Sequence, residues 1–493
     1  MSPVCVIDDG HACWSHLQPT LWGQLEGKTM TSSTNRRKTP NRKLAMPGLG
    51  PVEHLSPDLL RPYSRNARTH SERQVELIAQ SIETFGFTNP IIAEEDGTII
   101  AGHGRWEAAK LRGLPTVPVL RARHLTPEKV RAYRIADNKL AELSGWDADL
   151  LKLEFEELQT LDLDFSIEIT GFQHAEIDLI LDDPAETRGD GPLDPVDADI
   201  PIPPANPVSR MGDLWLMGAH RLYVGSSLEL ASFDVLMAGS KATMVFQDAP
   251  YNVKITGHVG GMGKVKHREF AMASGEMTRP EFQKFNVTNL KAITPHLIDG
   301  AILSMCMDWR GSLPLQLAME EAGLELINLA VWVKSNGGMG SLLRSQHELV
   351  FIAKHGKAGH INNVQLGRFK RYRTNVWRYP GVNTFGRGRM EQLSAHPTPK
   401  PVPLVADAIR DVSNRGQIVL DSFMGSGTTL LAAERTGRIA YGMDIDPGYV
   451  DVSVARWEVM TGMDARLESS GRSFAEVRAE RQPEFSVDNE SAL

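Results

Sequence analysis

Cysteine is scarce in this chain. Its 493 residues hold three, Cys5, Cys13 and Cys306, too few for a disulfide framework and without the spacing of metal ligands. No metal is therefore expected, and a reducing cytoplasm is the expected location. No apolar run approaches the ~20 residues that span a bilayer, so no membrane association is expected. A basic start followed by an apolar core is also missing, so no secretory leader is expected. Residues 1–29 show no structural pattern, which makes Met30 an alternative start. Positive charge is not in excess. The net charge of −8 excludes a protein that coats nucleic acid uniformly, so any DNA contact must be a local basic patch. What is present, 41% hydrophobic and 23% charged residues, is the composition of a globular protein with room for two or three domains.

Two stretches carry the chemistry. Thr243 to Gln247 is an apolar run of β-formers that ends in Asp248-Ala249-Pro250-Tyr251. A carboxylate at the carboxyl end of a buried strand is where an open α/β sheet presents its chemistry. Pro250 fixes the backbone and Tyr251 offers a flat face, together suited to a planar, amine-bearing group. The second stretch starts with the strand Gln417 to Phe423. Met424-Gly425-Ser426-Gly427-Thr428 follows, then a helix to Arg435, a stop at Gly437 and a strand ending in Asp444. Glycines allow close backbone approach, the helix start offers free N–H groups, and the second acid suits ribose hydroxyls. Asp444 stands 19 residues after Gly425, as a mononucleotide-binding unit requires. Leu430 replaces the third glycine of a dinucleotide fingerprint, and no Gly-Lys-Ser/Thr follows the turn. An adenosine-bearing cofactor without a gripped phosphate is the expectation.

Asp248-Ala249-Pro250-Tyr251 resembles the catalytic motif of amino-group DNA methyltransferases. The run from Leu420 to Thr429 resembles their S-adenosylmethionine motif, and His396-Pro397-Thr398-Pro399-Lys400-Pro401 the segment that precedes it in the permuted β class. The resemblance covers residues 208–462 and implies a Rossmann-like α/β fold with a mixed, mostly parallel sheet. It implies S-adenosyl-L-methionine as cofactor, held by Asp421, Phe423, Gly425, Gly427, Thr428 and Asp444, with Thr398 and Lys400. It implies catalysis by Asp248, Ala249, Pro250 and Tyr251. Ala249 stands where the family has the first of two prolines; that position works through its carbonyl. Gly225-Ser226 stands where relatives read Gly-Asp, which puts the usual cofactor arrangement there in doubt.

Ahead of this region, residues 51–146 alternate helix and strand. A helix over Gln74 to Phe85, a strand Pro90 to Glu94, a turn at Asp96-Gly97 and a strand Thr98 to Ala101 lead into Gly102-His103-Gly104-Arg105. This resembles the α+β N-terminal domain of ParB-like proteins, whose Gly-His-x-Arg segment lies at a nucleotide or DNA site. Gly102, His103 and Arg105 are the implied residues, with an ion-pair role for Arg105 and a structural role for His103 as the alternatives. Residues 1–50 read as a disordered basic arm and 147–182 as a helical extension whose apolar stripe is Leu150, Leu151, Leu153, Phe155 and Leu158. Residues 183–207 read as a Pro/Gly-rich acidic linker and 463–493 as a polar tail.

Within the catalytic region, Thr256 to Ser274 reads as a glycine-rich mobile loop near the site, either a lid over the base or a plain surface loop. Arg368, Lys370, Arg371, Arg373, Arg378, Arg387 and Arg389 alternate with Phe369, Tyr372, Trp377 and Tyr379, which reads as a DNA-contacting surface. The expected activity is site-specific methylation of double-stranded DNA at N6 of a flipped adenine, as within a restriction-modification system. Methylation at cytosine N4 is the first alternative. A nucleotide-gated DNA-binding protein with a degenerate methylase domain is the second, and an RNA or protein substrate the third. A nucleotide on the N-terminal module and a homodimer are left open.

Overall fold

The computed structural model describes residues 50–161, 163–181, 195–197, 200–253, 273–335, 337, 342–365, 373–381 and 399–482. The basic arm up to residue 49, most of the linker and lid, and the last eleven residues lie outside them. Four strands, β1 (Glu53–Leu55), β2 (Ile91–Ala93), β3 (Ile99–Ala101) and β4 (Val117–Arg121), form the first sheet, in the order β1-β4-β2-β3. Helices α1 (Glu72–Phe85), α2 (His103–Leu111) and α3 (Pro127–Glu142) accompany it. The expected helix is thus present. It starts two residues earlier because Ser71 caps it, its hydroxyl accepting from the Gln74 N–H at 3.2 Å. Asp96 fixes the expected turn by accepting from the Thr98 N–H at 2.9 Å, with Gly97 at φ 89°.

Two further helices follow, α4 (Ala148–Thr160) and α5 (His174–Leu181). The stripe read on α4 is only partly core. Phe155 is buried, edge-on to Phe172, whereas Leu150 and Leu153 are more than half exposed. An apolar period marks a face that can be covered; here α5 and its approach cover only part of it.

A second sheet has ten strands. They are β5 (Leu214–Met217), β6 (His220–Val224), β7 (Ala242–Gln247), β8 (Leu297–Met307), β9 (Leu324–Val333), β10 (His347–His355), β11 (Val376–Arg378), β12 (Ile418–Asp421), β13 (Ile439–Asp444) and β14 (Arg466–Leu467). Their order is β11-β9-β10-β8-β7-β12-β13-β6-β5-β14. The central run β8-β7-β12-β13-β6 is parallel throughout, and β10 lies antiparallel between β8 and β9. The fold is therefore the mixed, mostly parallel α/β sheet that the motifs implied. Parallel strands are covered on both faces, so β7 is buried at every position. Met244 and Phe246 face helices α9 (Val402–Val412), α10 (Thr428–Thr436) and α11 (Pro447–Thr461). Val245 faces α6 (Leu230–Met237), α7 (Arg279–Ile293) and α8 (Ser312–Glu321).

The helical segment is tied to this large sheet. Asp178 of α5 is 1% exposed, and its carboxylate accepts from Arg438 at 2.7 and 2.8 Å and from Arg415 at 3.0 Å. Part of the segment read as a linker is held as well. Asp197 is buried and accepts from the Val402 N–H at 2.8 Å, at the start of α9.

Candidate active site

Because β7, β12 and β13 run parallel, their carboxyl ends share one edge of the sheet. They deliver Asp248, Asp421 and Asp444 there, beside the point where chain order turns outward on either side of β7. Asp421 is almost fully buried. It accepts from the Phe423 N–H at 2.9 Å and from the Thr429 hydroxyl at 2.6 Å. Burial outweighs these bonds and pushes its pKa up to about 7. Asp444 accepts from the Gly425 N–H at 2.8 Å and the Asp446 N–H at 2.9 Å, and burial pushes it up to about 6. The turn between them needs its glycines. Gly425 and Gly427 have φ of 53° and 86°, and a Cβ on Gly427 would stand 2.9 Å from the Ser453 hydroxyl. Gly427 is the N-cap of α10 and brings no side-chain cap, so the N–H groups around Thr428 remain open to a ligand. Phe423 is half-buried against Phe285, with ring centroids 6.0 Å apart.

Around Asp248 the structure assembles a cluster that sequence reading had not joined. The Tyr251 hydroxyl donates to Asp248 Oδ1 at 2.7 Å and lies 3.0 Å from Glu348 Oε2. Lys400 Nζ reaches Asp248 Oδ2 at 2.6 Å, Glu348 Oε2 at 3.0 Å and the Tyr251 oxygen at 3.1 Å. Lys334 pairs with Glu348 Oε1. Burial works against the charge of Lys400, but Asp248 and Glu348 overcome it and hold the ammonium well above the usual lysine range. Burial likewise opposes the Glu348 charge, and Lys400 and Lys334 overcome it, bringing its pKa down to about 2. Tyr251 is kept protonated, its pKa raised by burial and by the two carboxylates. Of the residues read in the motif, Ala249 is buried and Pro250 half-buried. Beyond them, Asn252 adopts φ 56° and ties down the chain by accepting from the Gly275 and Met277 N–H groups and donating to the Met277 carbonyl.

Lys400, expected beside the cofactor, is spent on Asp248 and Glu348; Thr398 lies outside the described residues. Glu348 and Lys334 were missed. The only trace of Glu348 in the sequence is an acid in the otherwise apolar start of a strand, Glu348-Leu349-Val350-Phe351.

The basic surface fares differently. Arg368, Lys370, Arg371, Arg387 and Arg389 lie outside the described residues, and Arg378 is exposed. Arg373 is turned inward, donating to Asp411 at 2.9 Å, to the Tyr379 hydroxyl at 2.7 Å and to Asp407 at 3.3 Å. Trp377 and Tyr379 are buried with it. Counting charges along the chain could not show that Arg373 already has two carboxylate partners. In the first module Gly102, at φ 101°, caps α2 without a side chain, and His103 is buried and accepts from the Tyr63 N–H at 3.3 Å. Burial, then the charges of His70 and Arg134, press its pKa down to about 4, so it is neutral. Arg105 is half-buried, and Asp137 and Tyr133 lie close enough to interact with it electrostatically.

Comparison with known proteins finds three family matches along the chain, and the middle one runs across the segment read as a linker. Residues 242–455 match the N6/N4 family described as DNA methylase, 149–211 the ParB-methyltransferase HTH domain, and 46–138 the ParB N-terminal domain. Over 79 residues the chain is 50% identical to the ParB-like nuclease domain-containing protein YnaK of Escherichia coli (strain K12). That match takes in 16% of this chain and 85% of YnaK. Over 85 residues it is 35% identical to the type II methyltransferase M.ScaI of Streptomyces caespitosus, covering 17% of this chain and 28% of that protein. A solved structure of the PvuII DNA methyltransferase (cytosine-N4-specific) aligns at 16% identity with a TM-score of 0.38, covering 57% of this chain and 94% of that one.

Proposed function

We infer that this chain, which belongs to the N6/N4 DNA methylases through residues 242–455 and to the ParB N-terminal-domain family through residues 46–138, methylates an exocyclic amino group in double-stranded DNA. N6 of adenine is our choice over N4 of cytosine, on the Asp that opens the catalytic motif. One observation carries the reading. Asp248 stands at the end of β7, on the same sheet edge as the glycine turn bounded by Asp421 and Asp444.

S-adenosyl-L-methionine supplies an electrophilic methyl group. The residues at the turn fit its adenosine half. Asp444 offers a carboxylate to ribose hydroxyls, Phe423 a half-buried ring, and the start of α10 uncapped N–H groups. At Gly427 a side chain would collide with Ser453 where the backbone has to come close to the ligand. Asp421 stiffens the turn through Phe423 and Thr429.

An exocyclic amine is a weak nucleophile because its lone pair is delocalised into the ring. In this mechanism Asp248 and the Ala249 carbonyl accept its two N–H bonds, which favours a pyramidal nitrogen with its lone pair directed at the methyl group. The Tyr251 ring stacks on the extruded base. Asp248, whose side chain remains 23% exposed, would take the proton that the amine loses on methylation and pass it to water.

A pH dependence follows for the cofactor. Asp444 is an acid whose pKa is raised to about 6, so it is ionised above that pH and neutral below it. Affinity for S-adenosylmethionine is expected to be highest above about pH 8, where Asp421 is ionised too, and to fall as pH drops through 7 and 6. Loss of a charge-assisted hydrogen bond costs about 1.5–3 kcal/mol, roughly tenfold to a hundredfold. Asp444→Asn should bind weakly at all pH values. Calorimetric titration from pH 5 to 8 checks this; a wild-type profile with no inflection removes Asp444 from the ribose.

For the ParB-type module we propose a phosphate contact, from nucleotide or DNA, at the open start of α2 beside Arg105. Arg105→Ala is then expected to reduce salt-resistant DNA binding while leaving cofactor affinity unchanged. Filter binding across a salt series decides it, and identical curves would assign Arg105 a purely structural role.

A further inference from the structure

The cluster around Asp248 poses a conflict. Asp248 is to accept one N–H of the base amine, yet Oδ1 already accepts from Tyr251 and Oδ2 from Lys400. A tyrosine hydroxyl has one hydrogen to donate. Two carboxylate oxygens compete for it, Asp248 Oδ1 at 2.7 Å and Glu348 Oε2 at 3.0 Å. Lys400 has three hydrogens, and its three near neighbours are Asp248, Glu348 and the Tyr251 oxygen.

We propose that Glu348 is a positioning residue for methyl transfer: the second acceptor that takes the Tyr251 hydroxyl hydrogen, and a larger share of the Lys400 ammonium, when a base amine approaches Asp248. The inference rests on the methyltransferase reading and adds a residue that the sequence motifs do not contain. No proton changes owner in this step. The Tyr251 O–H rotates from one carboxylate to the other, and Asp248 Oδ1 is freed for the incoming N–H.

Glu348 is built for this task. It is 6% exposed and sits on a central strand opposite Trp332, so its carboxylate cannot swing away. Lys334 neutralises Oε1 from the far side, which leaves Oε2 as the oxygen facing Tyr251 and Lys400. Both lysines lie over the Trp332 ring, 4.7 Å and 5.7 Å from its centroid. Two carboxylates and two ammonium groups balance, so the charges are matched whichever way the hydroxyl points. Among the described residues the Glu348 carboxylate bonds to Tyr251, Lys400 and Lys334, and it approaches the reaction through Tyr251 and Lys400.

The test uses the full chain. Glu348→Gln loses the charged acceptor, so Tyr251 and Lys400 both settle on Asp248. We expect kcat to fall about tenfold to a hundredfold, with the affinity for S-adenosylmethionine and the KM for DNA little changed. Glu348→Asp, which keeps the charge, should recover part of the rate. The decisive variant is Tyr251→Phe in the Glu348→Gln background. It keeps the ring but removes the competing hydroxyl, and should be faster than Glu348→Gln alone. A purely structural Glu348 gives no such recovery. A double variant no faster than the single one overturns the proposal, as does a Glu348→Gln enzyme with unaltered kcat. If Glu348→Gln does not fold, Glu348→Asp with an unaltered kcat overturns it equally. A wild-type protein that binds the cofactor yet methylates no DNA overturns this proposal and the methyltransferase reading together. An active wild type with an unaffected Glu348→Gln overturns this proposal alone.

Discussion

Asp248→Ala is expected to slow methyl transfer by on the order of 10²–10⁴-fold, the range set by losing a positioned proton acceptor, while S-adenosylmethionine still binds. Asp248 belongs to the end of β7, whereas the glycine turn is braced by Asp421 and Asp444 on β12 and β13. The fold should survive with some loss of stability, because Lys400 keeps Glu348 as a partner at 3.0 Å but must then share that one carboxylate with Lys334. Single-turnover rates beside calorimetric cofactor affinity separate the two effects. A variant that retains most of its rate would remove Asp248 from the chemistry. One that loses cofactor affinity in proportion would move its role to binding.

The second large effect is on stability. Arg438 is fully buried, and Asp178 of α5 accepts from both of its terminal nitrogens. Arg415 shares the same carboxylate at 3.0 Å. Asp178→Ala leaves a desolvated cation without its counter-ion, which costs about 3–5 kcal/mol. The carbonyls of Thr436 and Ser413 still accept from Arg438, but neutral acceptors do not replace the lost charge. Calorimetric unfolding should show a markedly lower midpoint for Asp178→Ala. Replacing Arg438 and Asp178 together by leucine should restore part of it, since the fully buried cation leaves with its counter-ion while Arg415 keeps, among the described residues, only its bond to Gln159. A midpoint unchanged in Asp178→Ala would mean that α5 does not bear on this sheet. The same ion pair decides where the chain can be cut. A chain starting near Val208 keeps every catalytic motif but loses Asp178 and Asp197, stranding Arg438. One starting just before α4, near Gly145, keeps both and is expected to be the more stable.

The parts of the site legible in sequence are those written in consecutive residues. A strand that ends in Asp248-Ala249-Pro250-Tyr251, and a strand-turn-helix that needs Gly425 and Gly427, announce their geometry locally, because backbone constraints act over a few residues. Glu348 and Asp178 could not be found that way. Glu348 meets Tyr251 across 97 residues, and Asp178 meets Arg438 across 260. Strand order brings Glu348 to Tyr251, and the packing of α5 against the sheet brings Asp178 to Arg438. Arg373 shows the converse error. A run of arginines and aromatics looks like a DNA surface until tertiary packing places Asp407, Asp411 and Tyr379 around one of them. Leu150 and Leu153 on α4 belong to the same class: periodicity marks a face, and only the fold says whether anything covers it.

The central claim is that one sheet edge carries both the methyl donor and the acceptor for a base amine. The most direct test supplies duplex DNA and S-adenosylmethionine with a labelled methyl group to the wild-type protein and to Asp248→Ala, then maps the modified bases. The account predicts label in DNA, on N6 of adenine, with the wild type and almost none with the variant. Cofactor binding by both proteins with no label in the DNA from either would contradict it.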